Sequence, residues 1–571
     1  MPDATLGHFL FSHLASLGVR HVFGIPGDYV LPLFRALEET EGIAAVVATH
    51  EPHAAFSADA YGRQTGLGVL LVTYGVGGFN AMNGVAGAYA ERSPLLVVSG
   101  GPPTTSIHGG DPLRPRHHHL VKSATSQMDA YRSVTTQVVR LSDPKEAPDQ
   151  IRSAAARAME DCLPVYLEVP TDLMDAVIAP GATPPTPRWD PAPLEQATAH
   201  FAARLAAASR PVLLIGEEVA RFGLQDAVRR LMATRTIPAF TTILGKGALA
   251  ETSPGVLGVY AGVLSPSPAA RATVETSDLV VMLGSQVTDV NCGVFTADLD
   301  PERLLIAGCD WVGDGAARLE GPISFPRFVE ALVSRVPAGE PRGWPDPPRP
   351  GTGDGLMDRC MAAIDQGLGP DDVLVTDTGD STFGSLVVRP RRDQGYLASS
   401  FYNTMGFAVP AALGAALAEP GTRPVVLVGD GAFQMTGMEI SNLVRHRIGS
   451  TVVLFNNDGF GMQRIFVDGP FNDLARWDYS KVPELVGGGG YFRVDSSEAL
   501  LLALEAARRR TDGPTLVEVV LPRGELSTGL RTMQKAVLRD RTGVCPLRTE
   551  GAEVCGHESS CAFCRATIWK K

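Results

Sequence analysis

A chain of 571 residues has room for about three or four domains at roughly 150 residues each. Its 50 Lys and Arg against 62 Asp and Glu leave a net charge of −12, and no basic stripe offsets that balance, which weighs against a nucleic-acid partner. Hydrophobic residues at 44% and charged residues at 20% suit a globular protein with large cores.

The start, MPDATLGHFLFSHL, carries an Asp and no basic segment ahead of its apolar run, so it does not read as a signal peptide. Apolar runs such as LLVVSG and PVVLVG fall far short of the roughly 20 residues a membrane span needs. A cytoplasmic protein without membrane or nucleic-acid partners is expected.

Along the chain, short β-branched runs recur, each followed by a Gly-rich turn and a helix-like segment. They predict strands over Val69–Thr73, Leu95–Ser99, Val165–Val169, Pro211–Ile215, Leu279–Leu283, Val373–Thr376, Val425–Val428, Thr451–Phe455 and Leu516–Val520. Continuous apolar runs mark strands buried on both faces, and their alternation with helices implies parallel sheets. The predicted class is α/β. Proline continues neither a helix nor a central strand, so the Pro-rich stretches Ala179–Pro193 and Pro337–Pro350 read as linkers. They divide the chain into domains over 1–180, 194–336 and 351–535, each with a mostly parallel sheet flanked by helices, and a Cys-containing tail over 536–571. The central domain shows no GxGxxG fingerprint, so no dinucleotide is expected there.

The strongest local signal is VVLVGDGAFQMTGMEISNLVRH followed by STVVLFNNDGFG. One predicted strand ends at Gly429-Asp430-Gly431, where a helix starts, and the next ends at Asn456-Asn457-Asp458-Gly459. Open parallel sheets place ligands at such carboxyl ends. Mg²⁺ takes hard oxygen ligands and shares its other positions with phosphate and water. Asp430, Asn457 and the Gly459 carbonyl offer such oxygens, and the glycines let backbone N–H groups approach a diphosphate.

At these residues the chain resembles the thiamine diphosphate enzymes, whose signature opens with GDG and closes with NN, and in particular the pyruvate/indolepyruvate/phenylpyruvate decarboxylase group. HVFGIPGDYVLPLF, HEPHAAFSADAYGR and YGVGGFNAMNGVAGAYAERSPLLVVSG are similar to that group's pyrimidine-binding domain, and VDGPFNDLARWDYSKVPELVGG to the segment after its diphosphate site. The resemblance runs over about residues 5–530. It implies a pyrimidine-binding domain (1–180), a central domain (194–336) and a diphosphate- and Mg²⁺-binding domain (351–535). It also implies a cofactor held between two subunits, hence a homodimer or homotetramer.

The resemblance assigns roles residue by residue. Glu51, after the run IAAVVATH, is the carboxylic acid against the aminopyrimidine ring. In FYNTMGFAVPAALG, Met405 is the apolar side chain that bends the cofactor, with the Asn403 carbonyl at the ring amino group. Thr378, Gly429, Gly431, Ala432, Phe460 and Met462 complete the cofactor contacts beside the Mg²⁺ ligands Asp430, Asn457 and Gly459. Around the substrate stand Asp28 after Pro26-Gly27 and the pair His118 and His119 in PRHHHLVKS, with His117 the alternative by a slip of one. Histidines beside an anionic substrate can orient it and move protons at neutral pH.

Gln463 departs from the group, which carries glutamate there to help protonate the carbanion left after CO₂ departs. Glutamine hydrogen-bonds but cannot donate a proton as an acid. Aldehyde release is then slowed, and attack on a second carbonyl or acyl-thioester acceptor is expected, giving an acyloin-type product. The alternative is a plain decarboxylase of a 2-oxo acid that releases an aldehyde, and the third reading is an idle thiamine diphosphate-binding subunit. Thr382 in DTGDSTFG replaces a bulky aromatic of the pyruvate-specific members and leaves room for a larger substrate, while Met462 and Phe466 narrow the same pocket.

Past Leu530 the resemblance ends. The tail holds Cys545, Cys555, His557, Cys561 and Cys564. Cys561-x-x-Cys564 is half of a Zn²⁺ motif, but the remaining spacing fits no common one, and a reduced, flexible tail is the preferred reading.

Overall fold

The computed structural model describes residues 4–542, apart from 107–116, 179–190, 310, 316, 320–322, 341–342, 349–350 and 352. The cysteine tail from 543 onward and most of the first linker therefore lie outside the described residues. The described chain forms two compact units. Met1–Pro187 packs with Val409–Gly421 and Thr436–His446, and the second unit comprises Arg188–Ala408, Thr422–Met435 and Arg447–Lys571.

The first unit is built on a six-stranded, all-parallel sheet ordered Ala44–Val47, His21–Gly24, Gly68–Val72, Leu95–Gly101, Val165–Pro170 and Gln137–Arg140. Its central strands, GVLLV and LLVVSGG, are buried along their whole length, as their unbroken apolar runs require. The sequence places residues 409–421 and 436–446 in the third domain, yet they pack here. Glycine permits it: a Cβ on Gly414 would meet the Ser57 carbonyl oxygen at 2.0 Å, and Ser57 Oγ donates to the Pro410 carbonyl at 2.8 Å.

The second unit holds two sheets. The first orders Val256–Val259, Ala239–Thr241, Pro211–Ile215, Leu279–Leu283 and Leu304–Ala307 in parallel, then adds the antiparallel Val312–Asp314 and Ala317–Arg318. The second orders Tyr396–Ala398, Asp372–Thr376, Arg423–Gly429, Ser450–Asn456, Pro514–Val520 and Gly490–Val494, all parallel. Each sheet is covered by helices whose apolar faces close a core, such as Leu231, Phe328 and Leu332 over Leu213 and Val281. Side chains of that size contribute roughly 1.5–3 kcal/mol each on full burial.

Nine strands were expected from β-branched runs, and each is present with ends shifted by at most two residues. The short strands His21–Gly24 and Tyr396–Ala398 carry no such run and gave no signal. Two boundaries differ. Pro191–Pro193, read as linker, opens the helix Pro191–Ala207, because proline fits a helix's first turn. The helix Thr528–Thr542 runs past 535 into the supposed tail, where Ala536 is fully buried. The second linker has no regular structure where described, but its Trp344 packs on the core, its ring filling the space over Gly255. No described helix is long and apolar enough to cross a membrane.

Candidate functional site

In the second unit, Arg423–Gly429 and Ser450–Asn456 lie side by side with Gly429 paired to Phe455, so their loops leave the sheet together. The chain runs outward from Asp372–Thr376 to Tyr396–Ala398 and returns on the other side at Arg423–Gly429, which makes this a topological switch point. A cavity of about 200 Å³ opens there. It is lined by Thr378, Asn403, Met405, Gly429, Asp430, Gly431, Ala432, Asn457, Gly459, Phe460, Met462 and Gln463. Every cofactor-contact residue expected in this unit therefore faces one space.

Asp430 opens the helix Asp430–Thr436 and is 3% exposed. One carboxylate oxygen accepts from Gly431 N at 2.8 Å and the other from Gly459 N at 3.0 Å. Burial pushes its pKa up to about 6, against the pull of those backbone N–H groups. Gly431 lets the Phe460 ring lie against it, since a Cβ would meet that ring at 2.5 Å. Gly461 likewise clears the Asn457 amide, whose nitrogen a Cβ would approach to 2.5 Å. Arg464 clamps the loop by donating to the Asp458 and Asn472 carbonyls at 3.3 and 3.1 Å and to the Asp473 carboxylate at 2.5 Å.

Two buried carboxylates escaped the sequence reading. Asp377 accepts from Thr378 N, Gly406 N and Ala408 N at 3.0, 2.9 and 2.9 Å, which pins the turn that carries Met405. Asp380 lines the cavity and accepts from Ser527 N at 2.8 Å and from Ser527 Oγ, joining the cavity wall to the start of the helix Thr528–Thr542. Leu526 and Leu530 from that same segment also line the cavity.

Burial also pushes Asp380 up to about 6 from 3.8, with Ser527 opposing. Folded, it holds its proton more tightly than in the unfolded chain. Its share of stability is thus full below 3.8 and is lost as pH rises to about 6. Asp380→Asn is expected to flatten the Tm-versus-pH profile across that window, a change on the order of 3 kcal/mol. Part of the slope that remains belongs to Asp377, Asp430 and Glu217, which burial raises in the same direction. A profile as steep as the parent's would dismiss Asp380 as a source.

Of the three expected substrate-pocket positions, Met462 lines the cavity and Thr382 and Phe466 do not. Thr382 is 2% exposed, its hydroxyl donates to the Asp377 carbonyl at 2.8 Å, and it does not line the cavity. A small residue at 382 therefore opens no space into this cavity. Phe466 also stays off the lining; like Met462, it packs against an apolar cluster that holds Phe383, Leu530 and Met533.

In the first unit, Glu51 is the first residue of the helix Glu51–Thr65, just beyond the strand Ala44–Val47. Its side chain is 14% exposed, and one oxygen accepts from Asn80 Nδ2 at 2.6 Å. Behind it, Thr49 and His53 converge on the fully buried Glu439, whose carboxylate accepts from Thr49 N at 3.1 Å and lies 3.0 Å from His53 Nδ1. Asp28, His118 and His119 cluster, with His118 Nε2 hydrogen-bonded to the Asp28 carboxylate. Burial opposes the charge of Asp28, but the His118 hydrogen bond and charge prevail and hold its carboxyl below the ordinary value. His117, the alternative, is not in that cluster.

The residues present fit a diphosphate and a hard cation. No heavy atom lies within 4 Å of where a Gly429 Cβ would stand, so the strand end faces open space. Beside it, a desolvated carboxylate, a carboxamide and a backbone carbonyl supply oxygen donors, and among the described residues no ion pair neutralises Asp430.

Three family models match the chain. They are the Thiamine pyrophosphate enzyme N-terminal TPP binding domain over residues 4–130, the central domain over 198–307 and the C-terminal TPP binding domain over 377–519. The chain is 35% identical to an indole-3-pyruvate decarboxylase of Azospirillum brasilense, covering 92% of this chain and 97% of that one. It is 33% identical to an alpha-keto-acid decarboxylase of Mycolicibacterium paratuberculosis (92% and 95% covered) and 31% identical to one of Mycobacterium tuberculosis (92% and 96%).

Proposed function

We propose that this chain, which belongs to the thiamine diphosphate-dependent 2-oxo acid decarboxylase family, works with Mg²⁺ and joins the carbon that has lost CO₂ to a second carbonyl or acyl acceptor, forming an acyloin-type product. Thiamine diphosphate, when bound, supplies the carbon nucleophile and the electron sink. Asp430, Asn457 and the Gly459 carbonyl would hold the cation, and backbone groups at Thr378, Gly431 and Ala432 the diphosphate. Glu51 would hold and return a proton at the pyrimidine ring. Asp28, His118 and His119 would orient the substrate carboxylate and move protons beside it. The active form would be a cytoplasmic homodimer or homotetramer.

The observation that carries the ligation reading is Gln463 in the cavity lining. An amide there accepts and donates hydrogen bonds but delivers no proton as an acid. The carboxyls along the same wall are engaged: Asp430 by Gly431 and Gly459, Asp380 by Ser527, and Glu525 by Met357 N at 3.0 Å. Plain aldehyde release is the second reading, favoured by the names of the relatives.

Mass-spectrometric product analysis separates the two. The enzyme would receive pyruvate, phenylpyruvate or indolepyruvate, with and without an acceptor aldehyde or acyl thioester. A hydroxyketone is expected in the presence of acceptor, and Gln463→Glu is expected to shift the product ratio toward aldehyde by about tenfold or more. Aldehyde alone from the parent, with an unchanged ratio in the variant, would sink the ligation reading.

A further inference from the structure

We propose that Asp28, His118 and His119 form a chelating site for a first-row transition cation such as Zn²⁺, separate from the all-oxygen Mg²⁺ site. One ligand atom from each of the three lies within 4.8 Å of the others. Zinc bonds of roughly 2.0–2.2 Å to nitrogen and oxygen fit inside such a triangle.

The orientation of His119 suits a ligand. Its Nδ1 lies 3.1 Å from the Tyr74 carbonyl oxygen, which can only accept, so Nδ1 carries the hydrogen and Nε2 presents its lone pair. Metal-ligating histidines are held in this way, by the second ring nitrogen donating to a carbonyl. The backbone contributes as well. His119 has φ +65°, in the left-handed region, and Gly75 leaves the space it needs, for a Cβ there would meet the His119 carbonyl oxygen at 2.5 Å. Tyr29 braces the neighbour by donating its hydroxyl to the His118 carbonyl at 3.2 Å, with its ring 4.9 Å from the His118 ring.

The donor sets divide the two cations. Imidazole pairs with a carboxylate select zinc and its neighbours, whereas Asp430, Asn457 and the Gly459 carbonyl offer only oxygen, the choice of Mg²⁺. The side chains of His118 and Asp28 are 61% and 51% exposed, so an ion can reach them. Occupancy would consume both imidazole lone pairs and the Asp28 carboxylate, leaving none of them to move protons. The binding itself does not depend on the function proposed above.

The test uses the full chain with thiamine diphosphate and excess Mg²⁺, titrated with Co²⁺ as a visible probe and then with Zn²⁺. Co²⁺ is expected to bind with the weak visible absorption of nitrogen and oxygen ligands, and Zn²⁺ to displace it. His118→Ala and His119→Ala are each expected to weaken binding by about tenfold or more. Joint replacement of Cys545, Cys555, Cys561 and Cys564 by Ser should leave it unchanged. An intense thiolate charge-transfer band that vanishes with the cysteines would overturn the proposal. So would a titration that neither histidine variant alters.

Discussion

Glu51→Gln is expected to lower turnover by a factor of hundreds or more, the scale of lost acid–base work at a reacting centre, while thiamine diphosphate still binds. The substitution is close to isosteric. Asn80 Nδ2, which donates to Glu51 at 2.6 Å, can donate equally to a glutamine oxygen, so the local hydrogen bond survives and the exchangeable proton is lost. A purely structural role predicts something smaller. An acidic residue in a helix's first turn contributes about 0.3–1 kcal/mol, whereas each tenfold loss in rate corresponds to about 1.4 kcal/mol. Steady-state rates on a 2-oxo acid, paired with calorimetric binding of the cofactor, distinguish the cases. Turnover within tenfold of the parent would reduce Glu51 to a helix-start residue.

Legibility in the sequence followed how local each feature is. The Asp430 and Asn457 loops could be read because a strand, a Gly-rich turn and a following helix are written in consecutive residues, and parallel pairing then sets two such ends side by side. Asp28 and His118 are 90 residues apart, and only the family resemblance linked them. Thr49 and Glu439 lie 390 residues apart, and Asp380 and Ser527 lie 147 apart. Thr49, Glu439 and Asp380 each fall in a stretch read for another residue, but nothing local joins Thr49 to Glu439 or Asp380 to Ser527, so their burial and hydrogen bonding became visible only in three dimensions. Thr382 shows a different limit. Residue size at an aligned position says nothing of where the side chain turns, and here the hydroxyl is held by the Asp377 carbonyl and the residue does not line the cavity. Pro191–Pro193 shows a third. Prolines that end helices also begin them, and composition alone does not tell the two apart.

Asp430→Asn is expected to weaken Mg²⁺ and thiamine diphosphate binding by about a hundredfold or more, because it removes the one charged donor of the oxygen set. The unliganded protein should keep nearly the parent's Tm, and opposing magnitudes show why. At neutral pH the buried carboxylate, raised from 3.8 to about 6, costs on the order of 3 kcal/mol that an amide does not. Asparagine has one acceptor oxygen for two backbone donors, Gly431 N and Gly459 N, so one of them loses its partner, at about 1–3 kcal/mol. The two changes nearly cancel. The loss should therefore appear in the rise of Tm on adding cofactor and Mg²⁺. At a ligand concentration about a hundred times Kd, that rise reports about 2.7 kcal/mol, and a hundredfold weaker site removes most of it. Thermal melts with and without the pair of ligands, on parent and variant, read this directly. An undiminished rise in the variant would mean that the cation is held elsewhere. An unliganded Tm well below the parent's would mean that the Asp430 hydrogen bonds hold this loop more strongly than its buried charge strains it.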